Sequence, residues 1–334
     1  MMENLNQSLT YLAGCALKHW SIDVVDLQLI KFRENAVFRV NAASGKRYAL
    51  RIHRPGYHSQ AAINSELEWM AALSTAGLDV PQVVPTANGE LLVSQSAENV
   101  PEPRIVDLFE WVDGEILRVH LDRAIGANDS AEIVRLFEQV GETMGRLHNH
   151  ACEWKTPDGF ERPAWDLDGF VGERPFWGRF WELELLTAEQ RDLMKRVRQR
   201  LHDDLVAYGT TSGNFSLIHA DLNFDNVMVE GDKVRPIDFD DAGFGWHLFD
   251  MSVTLNHLFF DRLEPLATDA LVAGYRRARP ISDAELENLP LFMTMRSCSY
   301  LGWIRDRQEV SEIIERAPKL IENACRAAEA YLAK

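Results

Sequence analysis

The run His219-Ala220-Asp221-Leu222-Asn223-Phe224-Asp225-Asn226, followed a hairpin's length later by Ile237-Asp238-Phe239-Asp240-Asp241, sets acidic and amide side chains between short apolar stretches. Carboxylates crowded in this way cost several kcal/mol for each buried ion left uncompensated, so a cation or a reacting polar group has to make the cluster tolerable. Magnesium suits such a place: it prefers oxygen ligands, takes one or two from the protein, and completes its shell with water and substrate phosphates. Alone, the first motif could also be a turn held by Asx-type backbone bonds.

A second group of candidates lies in the amino-terminal third. In Tyr48-Ala49-Leu50-Arg51 strand alternation sends Ala49 and Arg51 to one face. Five extended runs, VVDLQLIKF, NAVFRVNA, RYALRIHR, ELLVSQ and RIVDLFEWV, are bounded by turn-forming residues and read as one antiparallel sheet. Between the third and fourth, Ile63, Leu67, Met70 and Leu73 recur at helical spacing before Gly77 and Pro81 stop the helix. That helix carries Glu66, with Glu68 on another of its faces.

Beyond Asp113 and Gly114 the pattern becomes chiefly helical, with Ser130 and Thr187 as expected N-caps. The acidic segment interrupts it as a buried hairpin. The expected organisation is therefore α+β and two-lobed, 1–112 and 113–334. An aromatic stretch around Trp154, Trp165, Phe170, Phe176, Trp177 and Trp181 reads either as one wall of a pocket or as packing beneath a long loop.

The 334 residues carry a net charge of −16, which argues against nucleic acid or an anionic membrane as a partner held by general electrostatics. Four scattered cysteines, with no C-x-x-C pair, suggest reduced thiols rather than a zinc site or disulfide framework. The first residues lack a long apolar core, and no segment is apolar over a bilayer's width, so a cytoplasmic protein is expected.

The motifs H-x-D-x-x-x-x-N and I-D-F-D-D, with the strand before them, resemble the aminoglycoside phosphotransferase and choline kinase-like family of the protein-kinase-like fold, nearest its bacterial homoserine kinase-like and stress-response Ser/Thr kinase branch. The resemblance runs from about Leu27 to beyond Asp250. It implies a nucleotide-binding lobe of antiparallel sheet and one helix, a mainly helical lobe for catalysis and the acceptor, ATP and Mg2+ as cofactors, and a hydroxyl-bearing acceptor. Asp221 resembles the catalytic base, and Asn226 and Asp238 the metal ligands.

On the nucleotide side, Ala49 resembles the residue against adenine, and Arg51 stands where the family's phosphate-binding lysine sits, with Glu66 as its ion-pair partner. Asn35, in the glycine-free turn Phe32 to Phe38, takes the place of the phosphate-covering loop. Leu108 to Gly114, with Glu110 and Val112 as the candidate residues, resemble the hinge that reads the adenine edge through backbone atoms. Asp250 resembles an aspartate that holds the catalytic-loop backbone, and His219 reads as structural. The acceptor is either a small molecule such as homoserine, choline or an aminoglycoside, or a protein serine or threonine; a catalytically silent nucleotide-binding regulator and a metal-dependent hydrolase are the other readings.

Overall fold

The computed structural model describes residues 2–32, 35–307 and 311–334. Contacts divide them into two units, one comprising 1–114, 156–161 and 235–240, the other the remaining residues. Among the described residues no helix is long and apolar enough to cross a membrane.

In the first unit, helix α1 (Met2–Ala16) precedes strands β1 (Val24–Phe32), β2 (Ala36–Ala42) and β3 (Arg47–Ile52). Helix α2 (Gln60–Thr75) and strands β4 (Leu92–Gln95) and β5 (Arg104–Glu110) follow. The sheet is antiparallel in the order β1-β2-β3-β5-β4. Alternation sorts its two faces. Phe38, Val40, Leu50, Ile52, Val106 and Leu108 pack with Leu9, Leu12 and Ala13 of α1 in one apolar cluster. Ala49, Arg51 and, across the register, Asp107 and Phe109 project to the opposite face. The expected helix is α2, with Ile63, Leu67, Met70 and Leu73 all buried; α1 is an additional helix, whose Leu9, Leu12 and Ala16 spacing in a polar stretch gave it little periodic signal.

The second unit begins with β6 (Glu115–Ile116), α3 (Leu117–Gly126), α4 (Ser130–Glu153), β7 (Ala164–Trp165), α5 (Leu167–Val171) and α6 (Ala188–Tyr208). Strands β8 (Phe215–Ile218), β9 (Val227–Glu230), β10 (Lys233–Pro236, whose last two residues are counted with the first unit) and β11 (Gly243–Trp246) follow. Helices α7 (His247–Leu255), α8 (Glu264–Ala278), α9 (Asp283–Leu286), α10 (Leu289–Arg305) and α11 (Ser311–Leu332) complete it. Two short three-stranded sheets form, in the orders β10-β9-β6 and β7-β11-β8. Thr187 caps α6 with a capping box to Gln190, as expected. For α4 the cap is Asp129 rather than Ser130: the Asp129 carboxylate accepts from Glu132 N–H, and Ser130 is already helical.

Helices α4 and α8 touch backbone to backbone. A Cβ added to Gly274 would lie 1.9 Å from Glu138 O, and one on Gly141 2.0 Å from Leu271 O. This approach brings Tyr275 of α8 against His148 of α4. In an open helix alanine would be better than glycine by about 1 kcal/mol, but here the methyl meets a carbonyl that cannot yield, and overpacking costs about 1–3 kcal/mol or more. Gly274→Ala is expected to lower unfolding free energy by about 3 kcal/mol in urea titration, whereas Gly14→Ala in α1, with nothing within 4 Å of the new atom, leaves it unchanged or slightly raised.

Candidate active site

The loop after β8 is held from beneath by α7. Every residue of α7 is buried, and two of them, one turn apart, face the loop. Asp250 accepts the backbone N–H of His219 at 2.9 Å on Oδ2 and that of Ala220 at 2.7 Å on Oδ1. Thr254 Oγ1 donates to Leu222 O at 2.7 Å. His148 Nε2 approaches the same Asp250 Oδ2 at 3.1 Å, and its Nδ1 lies 2.9 Å from Tyr275 Oη. Burial pushes the Asp250 carboxyl up, and the two backbone donors offset part of that push.

Between these anchors Ala220 takes φ +63°, a left-handed conformation that costs a β-carbon-bearing residue of order 1–3 kcal/mol and persists only where neighbours over-determine it. The result is the presentation of Asp221. Arg296 Nη2 donates to its Oδ1 at 2.7 Å, while Asn223 Nδ2 at 2.9 Å and Asn226 Nδ2 at 2.7 Å donate to Oδ2. Asp221 retains 21% side-chain exposure, against 1% for Arg296. His219 is fully buried, and its Nδ1 accepts from Asp221 N–H at 3.3 Å, as a loop brace would. Since Asn226 spends its Nδ2 on Asp221, its carbonyl oxygen is the atom left to face a hard cation.

The first unit holds a second cluster. Arg51 is buried; its Nη2 lies 2.9 Å from Glu66 Oε1, while Glu68 instead bonds Asn64. The expected ion pair is therefore present, but it is not the main one. Asp107, directly across the ladder, takes a bidentate contact from Arg51 Nε at 3.2 Å and Nη2 at 2.7 Å. Phe109 lies beneath the guanidinium at 5.0 Å. Asp240 Oδ1 is 3.9 Å from Arg51 Nη1 and 3.6 Å from His53 Nδ1.

Two residues earlier, Asp238 is half-buried with φ +65°, a second left-handed residue that is not glycine. Its neighbour Phe239 is fully buried edge-on to Trp69 of α2, and His58 Nε2 contacts Asp240 O at 2.7 Å. Asp238 in this unit offers carboxylate oxygens and Asn226 in the other an amide oxygen, each by itself a hard donor of the kind Mg2+ prefers.

Other expected residues do less obvious work. Asn35 Oδ1 accepts Arg54 N–H at 2.9 Å, tying the turn before β2 to the end of β3; Arg33 and Glu34 of that turn lie outside the described residues. Ala49 is half-buried opposite Phe109. Glu110 and Trp111 already donate their N–H groups to Gln82 O and Arg47 O, and Val112 follows them half-buried beyond the end of β5. In the aromatic stretch, Trp165, Phe170, Trp177 and Trp181 are buried, so they pack.

Sequence reasoning missed Asp107, His53, Asn223 and Arg296. Two of them left a signal: Asp107 interrupts the apolar run of β5, and Arg296 is a lone charge in LPLFMTMRSCSYLGWI.

The profile of the phosphotransferase enzyme family matches residues 27–285. The chain belongs to this family. A solved aminopropanol kinase, associated with a microcompartment, is 32% identical, each chain covered to 97%, with a TM-score of 0.84. Homoserine kinase of Agrobacterium fabrum is 30% identical over 66% of this chain and 62% of its own. An amicoumacin kinase solved in complex with AMP-PNP, Ca2+ and Ami shares the fold, with 19% identity, coverage of 98% and 96%, and a TM-score of 0.75. The protein is thus a phosphotransferase with the kinase-like fold of its family.

Buried histidines predict a two-sided pH dependence of stability for this phosphotransferase. Burial disfavours a charge on His53, but Asp107 at 2.8 Å outweighs it and raises the imidazole to about 9. His53 therefore binds its proton more tightly folded than unfolded; its contribution is complete below about 6.5 and is lost as pH climbs to about 9, up to about 3 kcal/mol. Burial lowers His148 to about 3 and His257 to about 4, so below about 6.5 the unfolded chain takes up protons that the folded one refuses. The urea midpoint is expected to peak near neutrality and fall on both sides, with His53→Gln flattening the alkaline limb; a midpoint unchanged from pH 6.5 to 9 in the unsubstituted protein contradicts the assignment.

Proposed function

We propose that this phosphotransferase moves the γ-phosphoryl group of ATP, with Mg2+, to the hydroxyl of a small polar acceptor, with amino alcohols as the first class to try. The observation carrying this reading is the Asp221 carboxylate, fixed by Arg296, Asn223 and Asn226 on a strained loop yet partly open to solvent. Related kinases act on aminopropanol and homoserine, both short hydroxyl compounds bearing an amine. An ATP-requiring reaction also fits a cytoplasmic setting.

In this reading residues 1–112 bind the nucleotide, and 113–334 carry the base and the acceptor. The Val112 backbone, beyond the already bonded N–H groups of Glu110 and Trp111, meets the adenine edge beside Ala49. Arg51, set by Glu66 and Asp107, faces the phosphates, with Asn35 bracing the covering turn. Asn226 and Asp238 would each offer an oxygen to Mg2+, which would neutralise phosphate charge when bound.

Asp221 orients the acceptor O–H. As the hydroxyl oxygen bonds to the γ-phosphorus, the bond to the β-bridging oxygen breaks, ADP leaves, and Asp221 takes the hydroxyl proton. Little covalent work is asked of the protein; holding the reactants in line is most of it.

The test is ADP formation from ATP and Mg2+ with 1-amino-2-propanol, homoserine, choline, aminoglycosides and a serine-rich protein. Stimulation by an amino alcohol supports the proposal. Stimulation by the protein alone would move the acceptor class to protein hydroxyls, and no stimulation by any of them would overturn the reading.

A further inference from the structure

We propose that Arg296 is a positioning residue for phosphoryl transfer, locking the rotamer of Asp221 from the buried side of the loop; the proposal rests on Asp221 being the catalytic base. Helix α10 is buried on almost every face, and Arg296 is the one charged side chain in its run from Leu289 to Ile304. A buried guanidinium is an expensive choice in such a helix, where leucine or methionine would pack without desolvating a charge.

The expense is only partly met by hydrogen bonds. Nη2 serves Asp221 Oδ1 at 2.7 Å and Tyr300 Oη at 3.1 Å, whereas Nε and Nη1 are buried without a hydrogen-bond partner among the described residues. Aromatic faces supply the rest. The guanidinium carbon lies 4.3 Å from the Tyr300 ring centroid, 4.7 Å from Trp177 and 5.9 Å from Phe249. A cation caged by three rings and joined to the site through one N–H fits badly as a stability device. It fits well as a fixed post for one carboxylate oxygen.

The cage is itself held firmly. A Cβ on Gly302, two residues beyond Tyr300, would meet Gly178 O at 2.5 Å and Trp177 O at 2.7 Å, so α10 and the Trp177 segment are in backbone contact. Neither Arg296 nor the Trp177 face is then open to an acceptor. Arg296 acts through Asp221: with Oδ1 fixed by Arg296 and Oδ2 by Asn223 and Asn226, the carboxylate cannot swing from the direction in which a hydroxyl must be held.

The experiment is a double-mutant cycle of Arg296→Met and Asp221→Asn, with Arg296→Lys alongside. It is read as ADP formation with 1-amino-2-propanol or homoserine, and as acceptor-free ADP release if neither is phosphorylated. Arg296→Met is expected to lower kcat 10- to 100-fold with KM for ATP and acceptor within about twofold, and Lys to recover part of the loss by keeping one N–H donor. The double variant should be no slower than Asp221→Asn alone, because Arg296 has nothing left to position.

Multiplying losses, or an Arg296→Met rate within twofold of the parent, would overturn the proposal. Full activity in Asp221→Asn would instead sink the reading of Asp221 itself. Should Arg296→Met fail to fold, the cycle is run with Arg296→Lys, judged by the same criterion.

Discussion

Asp221→Asn is expected to lower phosphoryl transfer by about 10³-fold, equivalent to about 4 kcal/mol at the transition state, with the KM for ATP nearly unchanged. The substitution is isosteric, so Arg296 can still donate to one terminal atom of the side chain. What disappears is the charge that, in the proposed reading, orients the acceptor hydroxyl and receives its proton. An amide presents a donor where a second acceptor oxygen stood, and that donor faces the amide nitrogens of Asn223 and Asn226. The protein should remain folded, since Asp221 is partly exposed and the loop backbone is held by other groups. Single-turnover transfer and a thermal melt on the same preparation check both halves. Loss of activity together with collapse of the melt would assign Asp221 a structural role.

The second large effect is at Asp250, and it should differ in kind. Its carboxylate is fully buried and accepts from two backbone N–H groups and His148. Asparagine cannot serve three donors: its NH2 must point at a backbone N–H or at the imidazole. Breaking a buried charged acceptor in this way costs about 3–5 kcal/mol, so Asp250→Asn should lower the urea midpoint substantially. Activity should fall too, because the left-handed Ala220 before Asp221 is tolerated only while its N–H is held. A variant within 1 kcal/mol of the parent would show that the loop is kept in shape by other contacts, chiefly Thr254 on Leu222 O.

These two residues show what a linear reading can and cannot reach. Asp221, Asn226 and Asp238 were legible as candidates because closely spaced polar residues in an apolar context are costly, and the cost is visible in one dimension. Ala49 and Arg51 on one face followed from strand period, and Glu66 from the resemblance to the helix glutamate of kinases. The Asp107 contact with Arg51 was not legible, since it depends on which strand becomes the neighbour of β3. That neighbour is β5, more than fifty residues away, with Arg51 and Asp107 in direct register.

The sequence by itself indicated the family, through the resemblance of its motifs to known members, and marked the strands, helices and acidic candidates around those motifs, because these depend on local spacing and on the cost of polar groups among apolar ones. Only the tertiary structure decided how those candidates are held: Asp107 against Arg51 and His53, Asp250 under His219 and Ala220, and Arg296 behind Asp221. Each of these contacts joins residues about thirty or more apart in the chain, and whether a buried charge has a partner is settled by packing rather than by its neighbours in sequence.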